Sequence, residues 1–204
     1  SKPLFILVAG TNGSGKSTFT KTLKRRYPNI HIIDPDAIAK ELTGSFDTIE
    51  QKSVRAGRKA IEHVRTHIEH KTSFLAESTI SGYTYLKYAQ KAKAAGFRTL
   101  LIYIGLETPE LSAERVASRV TMGGHNIPAT DIARRHPKSL ANLHDHIATF
   151  DITHIYDNTT NRQWVAGYRK GLLVKSTSDI PPWLRKPLHI SPPLPEKIKA
   201  WKLR

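Results

Sequence analysis

Leu4-Phe5-Ile6-Leu7-Val8-Ala9-Gly10-Thr11-Asn12-Gly13-Ser14-Gly15-Lys16-Ser17-Thr18 carries an unbroken apolar run into a glycine-rich turn that ends in Lys-Ser-Thr. The apolar half does not alternate, which suits a strand buried on both faces, as parallel strands between helical layers are. The polar half satisfies the pattern G-x-x-x-x-G-K-[ST] at Gly10, Gly15, Lys16 and Ser17. Glycines let the backbone turn with its N–H groups pointing inward. The loop from Gly10 to Gly15 and the start of a helix over Lys16 to Arg26 therefore form an anion cradle, to which Thr18 also belongs. In such a cradle Lys16 neutralises the β and γ phosphates of ATP, and the Ser17 hydroxyl binds Mg²⁺.

Further short apolar runs recur at His31–Ile33, Ser73–Ala76, Thr99–Ile104 and Ile152–Tyr156. Between them lie helix-period segments, such as Val54, Ile61, Val64 and Ile68 on one face, with Arg55, Arg58, Lys59, Glu62 and Arg65 turned outward. The alternation predicts an α/β fold of the P-loop kinase type: a parallel sheet of about five strands flanked by helices, joined by right-handed crossovers. Ligands then bind at the carboxyl ends of the strands.

ATPases, GTPases and kinases share the cradle, so other residues must choose the reaction. The second strand runs out into Asp34-Pro35-Asp36, beside the cradle if that strand neighbours the first. A carboxylate there can orient an acceptor hydroxyl and take its proton as the γ-phosphoryl group leaves ATP. The alternative for Asp36 is an N-cap on the helix that follows, or Asp34 takes the cap and leaves Asp36 free. The third strand ends in Glu77-Ser78-Thr79, an acid and two hydroxyls that can hold substrate hydroxyls or a metal-bound water; helix capping is the competing role for Glu77. Past the fourth strand, Arg115 and Arg119 stand four apart, followed by Met122 to Pro128 and Arg134-Arg135. Arginines on such a lid can stabilise the transferring phosphoryl group, although a solvated face is the plainer use for any one of them. His63, His67 and His70 fall on a helix among charges and read as solvated, with no ligand role.

The 204 residues, 39% hydrophobic, suit one compact domain. No apolar run approaches the roughly 20 residues a bilayer crossing needs. The first apolar run leads straight into the glycine loop, which reads as a strand and not as a signal segment, so a cytoplasmic protein is expected. With no cysteines, disulfides and thiolate chemistry are excluded. The formal charge of +15 predicts attraction to polyanions without choosing among them. Much of the excess lies in residues 162–204, which hold ten Lys and Arg against Asp179 and Glu196, and half of the prolines. That segment reads as a poorly regular basic tail wrapping the domain. The division expected is a kinase domain over 1–170 and a Pro-rich tail over 171–204, part of which Pro181-Pro182-Trp183-Leu184 docks.

With those blocks in hand, the chain resembles the zeta-toxin family of bacterial P-loop kinases from about Leu4 to Asn158. The resemblance runs through the cradle, Asp34-Pro35-Asp36-Ala37-Ile38-Ala39, Glu77-Ser78-Thr79-Ile80-Ser81-Gly82, the arginines flanking Gly123-Gly124-His125-Asn126-Ile127-Pro128, and Tyr156-Asp157-Asn158. It implies that Asp36 is the catalytic base, Lys16 the phosphate-binding lysine and Glu77 a substrate-binding acid, with Arg119 and Arg134 on the ATP phosphates. The best-studied members phosphorylate the 3′-hydroxyl of the amino sugar in UDP-N-acetylglucosamine, which implies a small nucleotide-linked acceptor. It also implies an antitoxin protein as partner. The chain departs from the family at Ser78, where many relatives have threonine, and at Pro137, which either kinks a helix over Ala129 to Ile147 or starts a new one. Two rivals remain: a polynucleotide or nucleoside kinase, which would use the basic charge but finds few aromatic stacking positions, and an ATP-binding interaction protein without catalysis.

Overall fold

The computed structural model describes residues 2–42, 48–124 and 126–185. Seven strands make one sheet: β1 (Leu4–Ala9), β2 (His31–Ile33), β3 (Phe74–Ser78), β4 (Arg98–Gly105), β5 (Ile152–Asp157), β6 (Gln163–Arg169) and β7 (Leu172–Ser176). Their order is β2-β3-β1-β4-β5-β6-β7, parallel from β2 to β5 and antiparallel through β6 and β7. The helices are α1 (Lys16–Arg26), α2 (Pro35–Glu41), α3 (Ile49–Glu69), α4 (Thr84–Ala94), α5 (Pro109–Thr121), α6 (Ala129–His146) and the single turn α7 (Pro182–Arg185). Among the described residues no helix is long and apolar enough to cross a membrane.

The strand alternation of side chains sorts β1 into two layers. Phe5, Leu7 and Ala9 pack with Ala56, Ala60 and Val64 of α3 and with Leu86 and Ala89 of α4. Ile6 and Val8 face the other way, onto Phe19 and Leu23 of α1. Every residue from Phe5 to Ala9 is fully buried, which is why the run shows no polar position. The Phe5 and Phe74 rings stack with centroids 4.4 Å apart and tie β1 to β3.

Caps start the helices where the chain leaves the strands. Asp34 caps α2 by accepting from the Asp36 N–H at 2.9 Å, with Pro35 in the first helical position. Thr48 and Gln51 form a reciprocal capping box on α3, and Thr108 followed by Pro109 begins α5.

Several sequence expectations need correction. The sheet has seven strands because the segment from Arg162, read as irregular, supplies the β6–β7 hairpin. β7 begins just past the expected boundary at 170 and belongs to the sheet. Lys170 and Gly171 form its two-residue turn with φ of 49° and 80°, the left-handed pair that matches strand twist. The strand β2 pairs with β3, not β1, so β3 separates it from the cradle. Val54 is 51% exposed: the buried stripe of α3 runs through Ala56, Ala60 and Val64, and the start of the helix overhangs a cleft. Pro137 neither splits α6 nor starts a helix but lies inside it, on an exposed position. His67 is not simply solvated, for its ring stacks on Phe74 and lies 4.7 Å from that of His31. Trp183 and Leu184 do dock, and both are buried. The remainder of the basic tail, 186–204, and His125 lie outside the described residues.

Candidate active site

The cradle is assembled by close backbone contacts. Gly10 donates its N–H to the Ser78 carbonyl at 3.2 Å, and any side chain on it would meet the Ile104 carbonyl oxygen at 1.9 Å. Gly15 takes φ 93° as the N-cap of α1 and offers no side chain to the first-turn amides, so those N–H groups remain open to an anion. With no acid in the first turn and Lys24, Arg25 and Arg26 in the last, the helix charges complement its dipole at the C-terminus and leave the N-terminus for phosphate. Thr11 and Ser14 are buried in the loop floor, while Asn12 faces the cavity.

Lys16 bends back over this loop, its Nζ donating to the carbonyls of Gly10 and Thr11 at 3.0 Å each. Burial lowers its pKa. The carboxylates of Glu77, Asp36 and Asp34 oppose that shift, and the Arg119 charge adds to it. A phosphate group entering the loop would supply the missing negative charge and draw the ammonium off the carbonyls.

Ser17 Oγ donates to Glu77 Oε2 at 2.9 Å. Glu77 is only 6% exposed, and burial raises its pKa against the pull of Lys16 and the Ser17 hydroxyl. Glu77 caps no helix: it is the penultimate residue of β3, next to the cradle strand, in register with Val8. A serine hydroxyl bonded to a carboxylate at the lip of a phosphate cradle is an all-oxygen donor set of the kind Mg²⁺ prefers. Ser17 would ligate such an ion directly, with Glu77 holding one of its waters.

A cavity of about 910 Å³ opens over these groups. It is lined by Lys16, Glu77, Ser78 and Thr79, by Asp34 and Asp36 where α2 begins, and by Asn126, Asp131, Arg134 and Arg135 in and before the first turns of α6. Because Asp34 is the cap, Asp36 is left exposed in the first turn of α2 with its carboxylate available. Arg134 and Arg135 both pair with Asp131, at 2.9 and 3.3 Å. Arg119 is exposed at the end of α5, close enough for its charge to act on Lys16. Arg115 does not join it: its Nη2 donates to the Thr159 carbonyl at 2.8 Å.

Two contributions go beyond the roles read from the motifs: Asn158 falls in the Tyr156-Asp157-Asn158 block but carries no assigned role there, and Tyr85 falls in no block. The Asn158 amide donates to the Ser14 carbonyl at 2.9 Å and props the cradle from the end of β5. Its signal was its place straight after a strand, at the active edge. Tyr85 lines the cavity and also a second one of about 510 Å³, which reaches Arg58, Ile61 and Arg65 of α3. Its hydroxyl is buried without a partner among the described residues, and burial, reinforced by Asp34, pushes its pKa up to about 12.

The pattern that defines the zeta toxin family matches residues 1–166. This chain belongs to the zeta toxin family. As a member it is a kinase-type phosphotransferase that uses ATP. A Haemophilus influenzae relative described as "Uncharacterized protein" is 37% identical over 129 residues, covering 63% of this chain and 89% of its own. Among solved structures, the fold is shared with the PezAT chromosomal toxin-antitoxin system of Streptococcus pneumoniae, at TM-score 0.64 and 23% identity over 82% of this chain and 71% of that one. It is also shared with AvrRxo1-ORF1:-ORF2 with ATP, at TM-score 0.68 and 15% identity, over 85% of this chain and 60% of that one. In this zeta toxin family member the cradle, the two acids and the arginine wall face one cavity.

Proposed function

We propose that this zeta toxin family member transfers the γ-phosphoryl group of Mg-ATP to a hydroxyl of a small nucleotide-linked sugar, UDP-N-acetylglucosamine being the acceptor that the family resemblance implies. The observation that carries the reading is the Ser17–Glu77 hydrogen bond at 2.9 Å, with Glu77 lining the same cavity as Asp36. That bond supports a phosphate and metal position beside Ser17, and the exposure of Asp36 supports its use as a base, with the shared cavity as room for an acceptor.

The acceptor oxygen attacks the γ-phosphorus as its proton passes to the Asp36 carboxylate, and the bond to the β-phosphate oxygen breaks to release ADP. Lys16 and Arg119 meet the growing negative charge, and Arg134 does so once it is drawn from Asp131. Bound Mg²⁺ would neutralise phosphate charge beside Ser17. Glu77, Ser78 and Thr79 hold the acceptor hydroxyls. Tyr85 joins the two cavities, which suits an acceptor of two parts, with the sugar over Glu77 and the remainder along α3. An antitoxin protein fits the same reading as an occupant of the open cleft. The absence of cysteines and the use of ATP fit work in the cytoplasm.

Incubating the protein with ATP, Mg²⁺ and UDP-N-acetylglucosamine should yield, by mass spectrometry, an acceptor heavier by one phosphoryl group, and Lys16→Ala should abolish it. An unchanged acceptor, with a phosphorylated product appearing instead from an oligonucleotide, would replace this acceptor class by a polynucleotide.

A further inference from the structure

Trp183 lies beyond the residues that the family pattern matches, yet it packs where β4 and β5 end, against Gly105 and Asp157. The chain leaves β7, and α7 lays the indole, only 9% exposed, across the end of β4. There is no room there for a side chain: a Cβ on Gly105 would stand 2.1 Å from the Trp183 ring. The indole N–H donates to Asp157 Oδ1 at 3.1 Å.

That carboxylate oxygen is a junction. It also accepts from the Thr159 N–H at 3.2 Å and the Thr159 hydroxyl at 2.6 Å. Thr159 Oγ1 accepts from the Glu107 N–H, and its carbonyl from Arg115. Between Asp157 and Thr159 sits Asn158, whose N–H bonds the Gly105 carbonyl at 3.0 Å and whose amide holds Ser14 of the cradle. Packing on Gly105 and the bond to Asp157 therefore fix both residues that orient Asn158. Charge-assisted bonds converging on one oxygen support one another, so losing one loosens the rest.

We propose that Trp183 is a positioning residue for nucleotide binding: a C-terminal strap that, through Asp157, Gly105 and Asn158, holds the cradle in its ATP-binding shape. The inference rests on the cradle binding ATP, but not on any acceptor. It makes ATP affinity depend on a segment outside the shared family core, immediately before the basic tail.

The test is Trp183→Phe, which removes the N–H donor together with the outer indole ring that packs on Gly105, so that both contacts of the strap are lost. Calorimetric titration with Mg-ATP alone should show binding about 10-fold weaker, the effect of losing one hydrogen bond to a charged group. In turnover assays the KM for ATP should rise while kcat and the acceptor KM stay within about 2-fold, a split that general destabilisation would not give. Asp157→Asn, which keeps the shape but weakens the junction, should shift ATP affinity the same way, and serves if Trp183→Phe does not fold. Unchanged ATP affinity in a folded variant overturns the proposal. Should the native protein itself bind no ATP, the functional reading fails instead, and hydrogen exchange then decides the strap. Faster exchange at Glu107, Asn158 and Thr159 in Trp183→Phe, with β1 and β3 unaltered, supports it; uniform exchange overturns it.

Discussion

The Ser17 hydroxyl lies 2.9 Å from Glu77 Oε2, so the first turn of α1 and the end of β3 are joined at the point where phosphate, metal and acceptor would meet. Glu77→Gln tests that joint. Folding should survive, because the amide keeps an oxygen for Ser17 and removes a buried charge. Turnover should fall by about 10²- to 10³-fold, as when one preorganised polar group is lost, and the Mg²⁺ concentration for half-maximal rate should rise. Steady-state rates across a Mg²⁺ series check both.

Arg134 now spends its guanidinium on Asp131 at the cavity wall. The pair is exposed, so Asp131→Ala should leave the urea unfolding midpoint nearly unchanged. Arg134→Ala should be equally mild for folding but lower kcat/KM by about 10- to 100-fold if the side chain turns to phosphate during transfer. Comparable losses of activity in the two variants would make the pair structural.

Tyr85 keeps a buried hydroxyl that no group among the described residues satisfies. Removing an unpaired buried hydroxyl does not destabilise, so Tyr85→Phe should melt at or above the native temperature. If the hydroxyl serves the acceptor, the acceptor KM should rise about 5- to 10-fold while ATP binding is unchanged. The phenol is neutral throughout the working range, so this KM should not vary between pH 6 and 9 on its account.

Acid stability should reflect the imidazoles at the opposite end of the sheet. Burial lowers the pKa of His31 and His67. The neighbouring His63 adds to both shifts, Lys24 adds to that of His31, and His70 to that of His67. Burial likewise lowers His136 and His154. The folded protein thus binds fewer protons than the unfolded chain, whose imidazoles titrate near 6.5. Stability is complete above about pH 6.5 and is lost as the pH falls through the lowered folded values. Urea midpoints at pH 7.5 and 5.5 should differ in that direction, and His67→Phe, which keeps the stack on Phe74, should shrink the difference.

The cradle was legible because its chemistry is local: six successive backbone positions and one lysine fix it, whatever the sheet does around them. The α/β layering followed from β1, whose even and odd residues both face a core. Sheet order was not legible in the same way. Nothing in His31-Ile32-Ile33 says whether its edge meets β1 or β3; with β3 between β2 and the cradle, Asp36 still lines the cavity it shares with Lys16, and its charge acts on that lysine. Helical period put His67 on α3 but could not foresee His31 and Phe74 beneath it. The β6–β7 hairpin was marked by Lys170-Gly171 and obscured by the basic, proline-rich composition that follows. Asn158 and Tyr85 matter through contacts 144 residues away or with an empty cavity, which no spacing encodes.

On the proposed mechanism, Asp36 delivers an acceptor hydroxyl to ATP held over Lys16. Transfer of label from γ-³²P-ATP, followed side by side for the native protein and Asp36→Asn with matched ATP binding, tests it most directly. Label should enter a small organic acceptor, and the substitution should slow that entry by about 10²- to 10⁴-fold, the share of a positioned base, while ATP affinity stays within a few fold. Label released only as inorganic phosphate, or Asp36→Asn working at the native rate, would contradict it.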